Sequence, residues 1–89
     1  MKDRYLEITF RKGKAMAAYL YLPRVGSEKS VKTEDAGSGL LIDYAADGRP
    51  IGIEITAPGH VSVGDVNAVL DRLGLDPLRP EEATPLQAA

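Results

Sequence analysis

Residues 40–55 read LLIDYAADGRPIGIEI, and this stretch predicts a β-hairpin. Apolar residues alternate on both sides of Asp47-Gly48, a pair typical of tight type I′ hairpin turns. Pairing around the turn gives three inward-facing pairs: Leu40 with Ile55, Ile42 with Ile53, and Tyr44 with Ile51. Because successive strand residues alternate between faces, we expect four others on the opposite side: Leu41, Asp43, Gly52 and Glu54.

A second hairpin is predicted from residues 5–10 and 16–22, which also alternate. A two-residue turn at Lys12-Gly13 would set Leu6 opposite Tyr19 and bury the tyrosines. A loop with an odd number of residues would instead set Leu6 opposite Leu20. We favour the odd loop because leucines belong inside, and a one-residue shift exchanges the two faces. Three tyrosines then share the outer face: Tyr5, Tyr19 and Tyr21.

Two further elements complete the predicted fold. Residues 28–35 are strongly charged and indicate a weak strand at a sheet edge, where lysines discourage unwanted pairing. A helix is predicted to begin after Ser62, with Asp65 completing a capping box, and to stop at Gly74. Its apolar residues recur at helical spacing: Val63, Val66, Val69, Leu70 and Leu73.

The predicted fold class is therefore α+β. We expect one domain over residues 1–78, an antiparallel β-meander of about five strands with one C-terminal amphipathic helix packed on one sheet face. Residues 79–89 contain Pro80 and Pro85 and little apolar material, so a disordered tail is predicted there.

Composition narrows the functional classes. The chain of 89 residues has no cysteine, so disulfides and thiolate metal sites are excluded, and a reducing, cytoplasmic location is expected. No apolar run approaches the length of a membrane helix, so no membrane association is expected. Residues 1–32 carry eight basic and three acidic residues, whereas the remainder carries three basic and ten acidic residues. Such asymmetry can steer head-to-tail self-association or binding to an acidic partner, although the two halves can also interleave and cancel. A sequence pI of about 5.3 makes nucleic acid an improbable partner.

Three segments together resemble a known family. They are residues 17–22 (AAYLYL), residues 39–55 and the helix of residues 66–75. In these the chain resembles domain-of-unknown-function family 2283, which comprises small bacterial proteins. The resemblance spans about residues 4–75 and implies a small α+β fold without an established activity. It also implies a conceivable antitoxin-like role, since some members accompany toxin-like partners. The family's acidic residue before Ala-Ala-Tyr is absent here, where Lys14-Ala15-Met16 stands, so any role of that acid does not carry over.

Chemistry-bearing residues are few. Asp43 and Glu54 lie one diagonal step apart on the outer hairpin face, where paired carboxylates could do acid–base work or bind a hard cation. The alternative is that both are simply solvated. His60 is the only histidine, and a lone histidine without cysteines is a poor start for a zinc site or a catalytic triad. We therefore predict no catalytic residues, cofactor or metal, and keep Asp43, Glu54 and His60 as a weak polar site.

The tyrosine-bearing outer face is the preferred functional feature. Tyr5, Tyr19, Tyr21 and Leu41 are expected on a side that a single helix leaves open, and tyrosine is enriched at protein interfaces. The sequence thus predicts a non-enzymatic interaction module that forms a dimer or larger homo-oligomer through a sheet face or edge and that has room for a second protein partner. The alternative is a small-ligand-binding protein or enzyme whose site is completed at a subunit interface.

Overall fold

The computed structural model describes residues 4–87 and contains five strands, a 3₁₀ turn and two helices. The strands are β1 (Tyr5–Arg11), β2 (Lys14–Tyr21), β3 (Lys32–Gly37), β4 (Leu40–Tyr44) and β5 (Pro50–Ile55). The 3₁₀ turn is Pro58–His60, and the helices are α1 (Val63–Arg72) and α2 (Pro80–Gln87). The predicted α+β class with five antiparallel strands is confirmed. Neither helix has the length and apolar character that crossing a membrane requires.

The strand order corrects the predicted meander. The order is β1-β2-β5-β4-β3, so β5 inserts between β2 and β4 and no consecutive pairing joins β2 to β3. The composition of the strands explains this order. Ile51, Ile53 and Ile55 of β5 are fully buried, which suits the centre of the sheet. The charged β3 lies at an edge, as predicted from its lysine and acidic residues.

The core register of both hairpins is confirmed, but the turns that produce it differ from the predictions. In the first, Lys12 and Gly13 form a two-residue turn with φ values of 53° and 78°. The extra residue is Met16, at a β-bulge, and it restores the pairing of Leu6 with Leu20. The predicted loop with an odd number of residues is therefore wrong. The predicted faces, with Leu6 and Leu20 on one side of the hairpin and the tyrosines on the other, are confirmed.

The second hairpin shows the same compensation. The Ala45 and Arg49 backbones close a three-residue loop in which Gly48 has a φ of 89°. Tyr44 consequently lies opposite Pro50, not Ile51, which corrects the predicted pair. Ile51 is the inserted residue at a bulge. Beyond it, the pairs Ile42–Ile53 and Leu40–Ile55 stand as predicted.

One hydrophobic cluster joins the sheet and both helices. Its sheet members are Ala18, Leu20, Leu40, Ile42, Ile53 and Ile55. Its helical members are Val66, Val69 and Leu70 of α1 with Ala83 and Leu86 of α2. Burying each such leucine or isoleucine contributes about 1.5–3 kcal/mol relative to leaving it exposed. We call the sheet side that bears these residues the inner face and the opposite side the outer face.

The ends of α1 follow the sequence closely. The Ser62 hydroxyl accepts a hydrogen bond from the Asp65 backbone, and the Asp65 carboxylate accepts one from the Ser62 backbone. At the other end Gly74 has a φ of 73°, and the Leu75 amide returns to the Leu70 carbonyl. The predicted capping box and glycine stop are both confirmed.

The predicted disordered tail is corrected at α2. Pro80 is the first residue of the helix, where its missing N–H is not needed, so it starts the helix and does not break one. Glu82, Ala83 and Leu86 are buried. A second helix therefore replaces the tail over Pro80–Gln87, while the prediction for residues 88–89 lies outside the described part of the chain.

A buried ion pair fastens α2 to the start of β1. The Arg4 guanidinium donates to both carboxylate oxygens of Glu82, at 2.8 and 3.1 Å, and also to the Asp76 carbonyl. Only 5% of the Glu82 side chain is exposed. The hydrogen bonds from Arg4 hold the pKa of the Glu82 carboxyl below its usual range.

Candidate functional site

The outer face is built from two rows of residues that run across all five strands. One row is Tyr5, Tyr21, Gly52, Asp43 and Thr33, and the other is Glu7, Tyr19, Glu54, Leu41 and Asp35. The rows contain three tyrosines and four acidic residues but no basic residue. All four residues predicted for an interaction surface lie in these rows: Tyr5, Tyr19, Tyr21 and Leu41. The two carboxylates of the predicted polar site, Asp43 and Glu54, lie there as well.

Tyr5, Tyr19 and Tyr21 form what we call the tyrosine cluster. The Tyr5 and Tyr21 rings stack with centroids 4.6 Å apart, and Tyr19 meets Tyr21 edge-on at 4.7 Å. Tyr5 is 45% exposed, whereas Tyr19 and Tyr21 are half-buried. Aromatic pairs in these geometries gain about 0.5–1.5 kcal/mol beyond their area burial, so the cluster is held in place before any partner arrives.

Asp43 anchors the cluster to the sheet. Its carboxylate accepts a hydrogen bond from the Tyr19 hydroxyl at 2.7 Å and another from the Thr33 hydroxyl at 2.6 Å. Both carboxylate oxygens are therefore engaged. Burial raises the pKa of the Tyr19 phenol well above its usual value, and the hydrogen bond to Asp43 raises it further. Tyr19 consequently remains a protonated donor at neutral pH.

Gly52 provides the space in which Tyr19 reaches Asp43. A Cβ built on Gly52 would overlap the hydroxyl and ring carbons of Tyr19. The ring therefore lies directly against the bare backbone of β5. Sequence reasoning placed Gly52 on the outer face but missed this role. A glycine inside a strand of isoleucines was the available signal, since such a glycine often marks close approach by another group.

Arg24 is a second contributor that sequence reasoning missed. Its guanidinium lies 5.5 Å from the Tyr21 ring centroid, and one of its nitrogens donates to the Tyr19 hydroxyl at 3.2 Å. Arg24 also donates to the Ile51 and Glu28 carbonyls, which fix its position. No pattern in the sequence signalled this contact, because Arg24 follows Pro23 in an irregular loop.

The predicted polar site does not come together as a metal centre. His60 is exposed in the 3₁₀ turn, and no three or more histidine, aspartate or glutamate side chains within residues 4–87 are grouped to hold a metal ion. Every buried side-chain nitrogen and oxygen in the same range has a hydrogen-bond partner. Asp43 thus serves the tyrosine cluster in this structure.

Two cavities lie away from the outer face. One of about 290 Å³ adjoins the Arg4–Glu82 pair, and one of about 500 Å³ lies between the start of α1 and the end of α2. Neither is lined by Asp43, Glu54 or His60. These cavities therefore give no support to the residues predicted as a polar site.

Comparison with known proteins gives a family without a described activity. Residues 15–57 match the model of the family described as "Protein of unknown function (DUF2283)". The matched segment runs from β2 through β5, so it includes Tyr19, Tyr21, Asp43 and Gly52. No curated protein and no solved structure is similar enough to the chain to count as a match.

Proposed function

We propose that this chain, whose residues 15–57 match the DUF2283 family model, is a non-enzymatic protein-interaction module that self-associates through its outer face. The tyrosine cluster is the observation that carries the proposal. Three aromatic side chains are grouped on the sheet side opposite the cluster that joins both helices, and Tyr5 is 45% exposed. Aromatic side chains of this kind dominate the binding energy of many protein interfaces.

The rigidity of the cluster supports binding over mere solvation. Tyr19 is fixed by Asp43 and Arg24, and Tyr21 by stacking on Tyr5. A side chain that is already ordered loses little conformational entropy when a partner covers it.

The same geometry favours binding over catalysis. Both oxygens of Asp43 accept hydroxyl hydrogen bonds, so a substrate proton could reach this carboxylate only in competition with Tyr19 or Thr33. The raised pKa of Tyr19 keeps its phenol protonated at neutral pH, so the phenol is not available as a base. An antitoxin-like role, in which the same face holds a second protein, is the form of this proposal that the family resemblance suggests.

Molecular size as a function of concentration tests the proposal. Sedimentation of the wild type from micromolar to millimolar concentration is expected to show a dimer or larger species. Tyr5→Asp should weaken association at least about tenfold, since it removes an exposed aromatic anchor and adds a charge. Tyr21→Asp should do the same.

Ala68→Asp is the matched control. Ala68 is exposed on α1, so the variant adds the same charge away from the outer face and should associate like the wild type. Circular dichroism should show that all variants are folded. A wild type that stays monomeric throughout, or a control that weakens association as much as Tyr5→Asp, would refute the proposal.

A further inference from the structure

The β1–β2 hairpin extends beyond the sheet as a two-stranded ribbon. β2 pairs with β5 only from Ala18 to Tyr21, so residues 14–17 pair with β1 alone. We call residues 9–17 the ribbon. A two-stranded ribbon is marginally stable in water by itself, so a surface that covers it would add stability.

The ribbon is both apolar and basic. Phe10 is 57% exposed and Met16 is 50% exposed, although side chains of this size are usually buried. The three charged residues of the ribbon are all basic: Arg11, Lys12 and Lys14. Residues 9–17 contain no acidic residue, so the ribbon presents two large apolar groups within a positive field.

The outer face has the complementary character. Its two rows carry four acidic residues around the tyrosine cluster: Glu7, Asp35, Asp43 and Glu54. The Arg24 guanidinium, which lies against the Tyr19 and Tyr21 rings, is one positive charge against these four, so the face is acidic on balance. Two outer faces placed against each other would bring like charges together, which is unfavourable across an interface. An acidic, aromatic face is better matched by a basic, apolar partner.

We propose that the ribbon of one copy docks on the outer face of a second copy, an inference that rests on the self-association proposed above. Phe10 and Met16 contact the rings of the tyrosine cluster, and Lys12 at the turn faces Glu7 and Glu54. Lys14 lies opposite Arg11, on the other side of the ribbon from Phe10, and adds to the positive charge of the ribbon. The two contacting surfaces differ, so a contact made in one direction leaves one free ribbon and one free outer face on each bound pair. The proposed contact is of this one-directional kind, in which assembly is head-to-tail and closes into a ring or continues as a filament.

Charge reversal on either surface tests this arrangement. The ribbon variant is Lys12→Glu/Lys14→Glu and the face variant is Glu7→Lys/Glu54→Lys, each in the full chain. Each variant alone should associate at least about tenfold more weakly than the wild type, since the charge attraction between ribbon and face is removed or reversed. An equimolar mixture should regain association, because the unchanged ribbon of the face variant can dock on the unchanged outer face of the ribbon variant. Thermal unfolding should show that both remain folded.

The outcomes separate this inference from the function on which it rests. Wild-type association that survives in the ribbon variant, and survives or strengthens in the face variant, would overturn head-to-tail docking and leave face-to-face self-association. A wild type that is monomeric at every concentration would overturn both. Binding of the monomeric wild type to phosphatidylserine vesicles, lost in the ribbon variant, would overturn both and assign the ribbon to an anionic lipid surface. Weaker association of each variant alone, together with recovered association in the equimolar mixture, supports head-to-tail docking.

Discussion

Substituting Gly52 with alanine should destabilise the protein through Tyr19. The added methyl group would occupy the position of the Tyr19 ring and hydroxyl, so the ring must leave. Its departure breaks the hydrogen bond to the Asp43 carboxylate, and bonds to charged groups contribute about 1.5–3 kcal/mol. Loss of the edge-on contact with Tyr21 adds about 0.5–1.5 kcal/mol. We therefore expect Gly52→Ala to cost about 2–4.5 kcal/mol.

That cost is large for a domain of this size. Proteins are typically stable by about 0.05–0.15 kcal/mol per residue, so a chain this long has about 4–13 kcal/mol in total. The melting temperature should fall by about 8–36 °C. Urea unfolding, followed by circular dichroism and by the fluorescence of the four tyrosines, measures the change.

The same substitution made in the Tyr19→Ala variant tests whether Tyr19 causes the loss of stability. In Tyr19→Ala the obstructing ring is gone, so Gly52→Ala should be neutral or should stabilise by up to about 1 kcal/mol, since alanine is preferred to glycine within a strand. The two substitutions should thus be coupled by at least about 2 kcal/mol. An equal cost of Gly52→Ala in both backgrounds would show that Tyr19 is not the cause and would refute the reasoning.

Two further predictions concern the helices. Glu82→Gln should cost about 3–5 kcal/mol at pH 7, because it leaves the Arg4 charge without its buried partner. The lowered folded pKa of Glu82 stabilises the protein above the unfolded pKa, near 4.5, and this contribution is lost as the pH falls through the folded value. The difference in urea midpoint between Glu82→Gln and the wild type should therefore become smaller below about pH 4.5. Glu81→Gln is the control: Glu81 is exposed, so the urea midpoint of this variant should be close to that of the wild type at any pH. Ser62→Ala should lower the unfolding free energy by about 1 kcal/mol by removing the cap of α1, and Ser62→Asp, which retains an acceptor, should recover most of it in the same assay.

Hairpin register could be predicted from sequence, whereas turn geometry could not. The requirement that leucines and isoleucines be buried determines that Leu6 lies opposite Leu20 and Ile42 opposite Ile53. Several combinations of loop length and bulge satisfy that requirement. The structure has bulges at Met16 and Ile51, and neither residue type is characteristic of a bulge.

Strand order and the second helix were beyond local patterns. The position of β5 depends on how well all five strands bury their apolar side chains together, which no single window of sequence reveals. In α2, Pro80 and the sparse apolar residues favoured disorder. Glu82 and Arg4 are 78 positions apart in the sequence. Their contact stabilises α2, whose local sequence alone did not indicate a helix.

In the candidate site, too, some features could be predicted from local sequence and others could not. Strand alternation placed Tyr5, Tyr19 and Tyr21 on one face, and their cluster follows from that placement. The residues that hold the tyrosine cluster in place come from other parts of the chain. Arg24 arrives from a loop, and Thr33 reaches Asp43 from the neighbouring strand, so only tertiary structure reveals them.

The insertion of β5 between β2 and β4 has a consequence for folding kinetics. Each hairpin can form early from neighbouring residues, but the β2–β5 pairing that unites them joins Tyr21 to Gly52. Closing a loop of about 30 residues loses chain entropy before any contact compensates for it. We therefore expect docking of two preformed hairpins to be the slow step, with the segment between β2 and β3 governing how quickly the native state is reached.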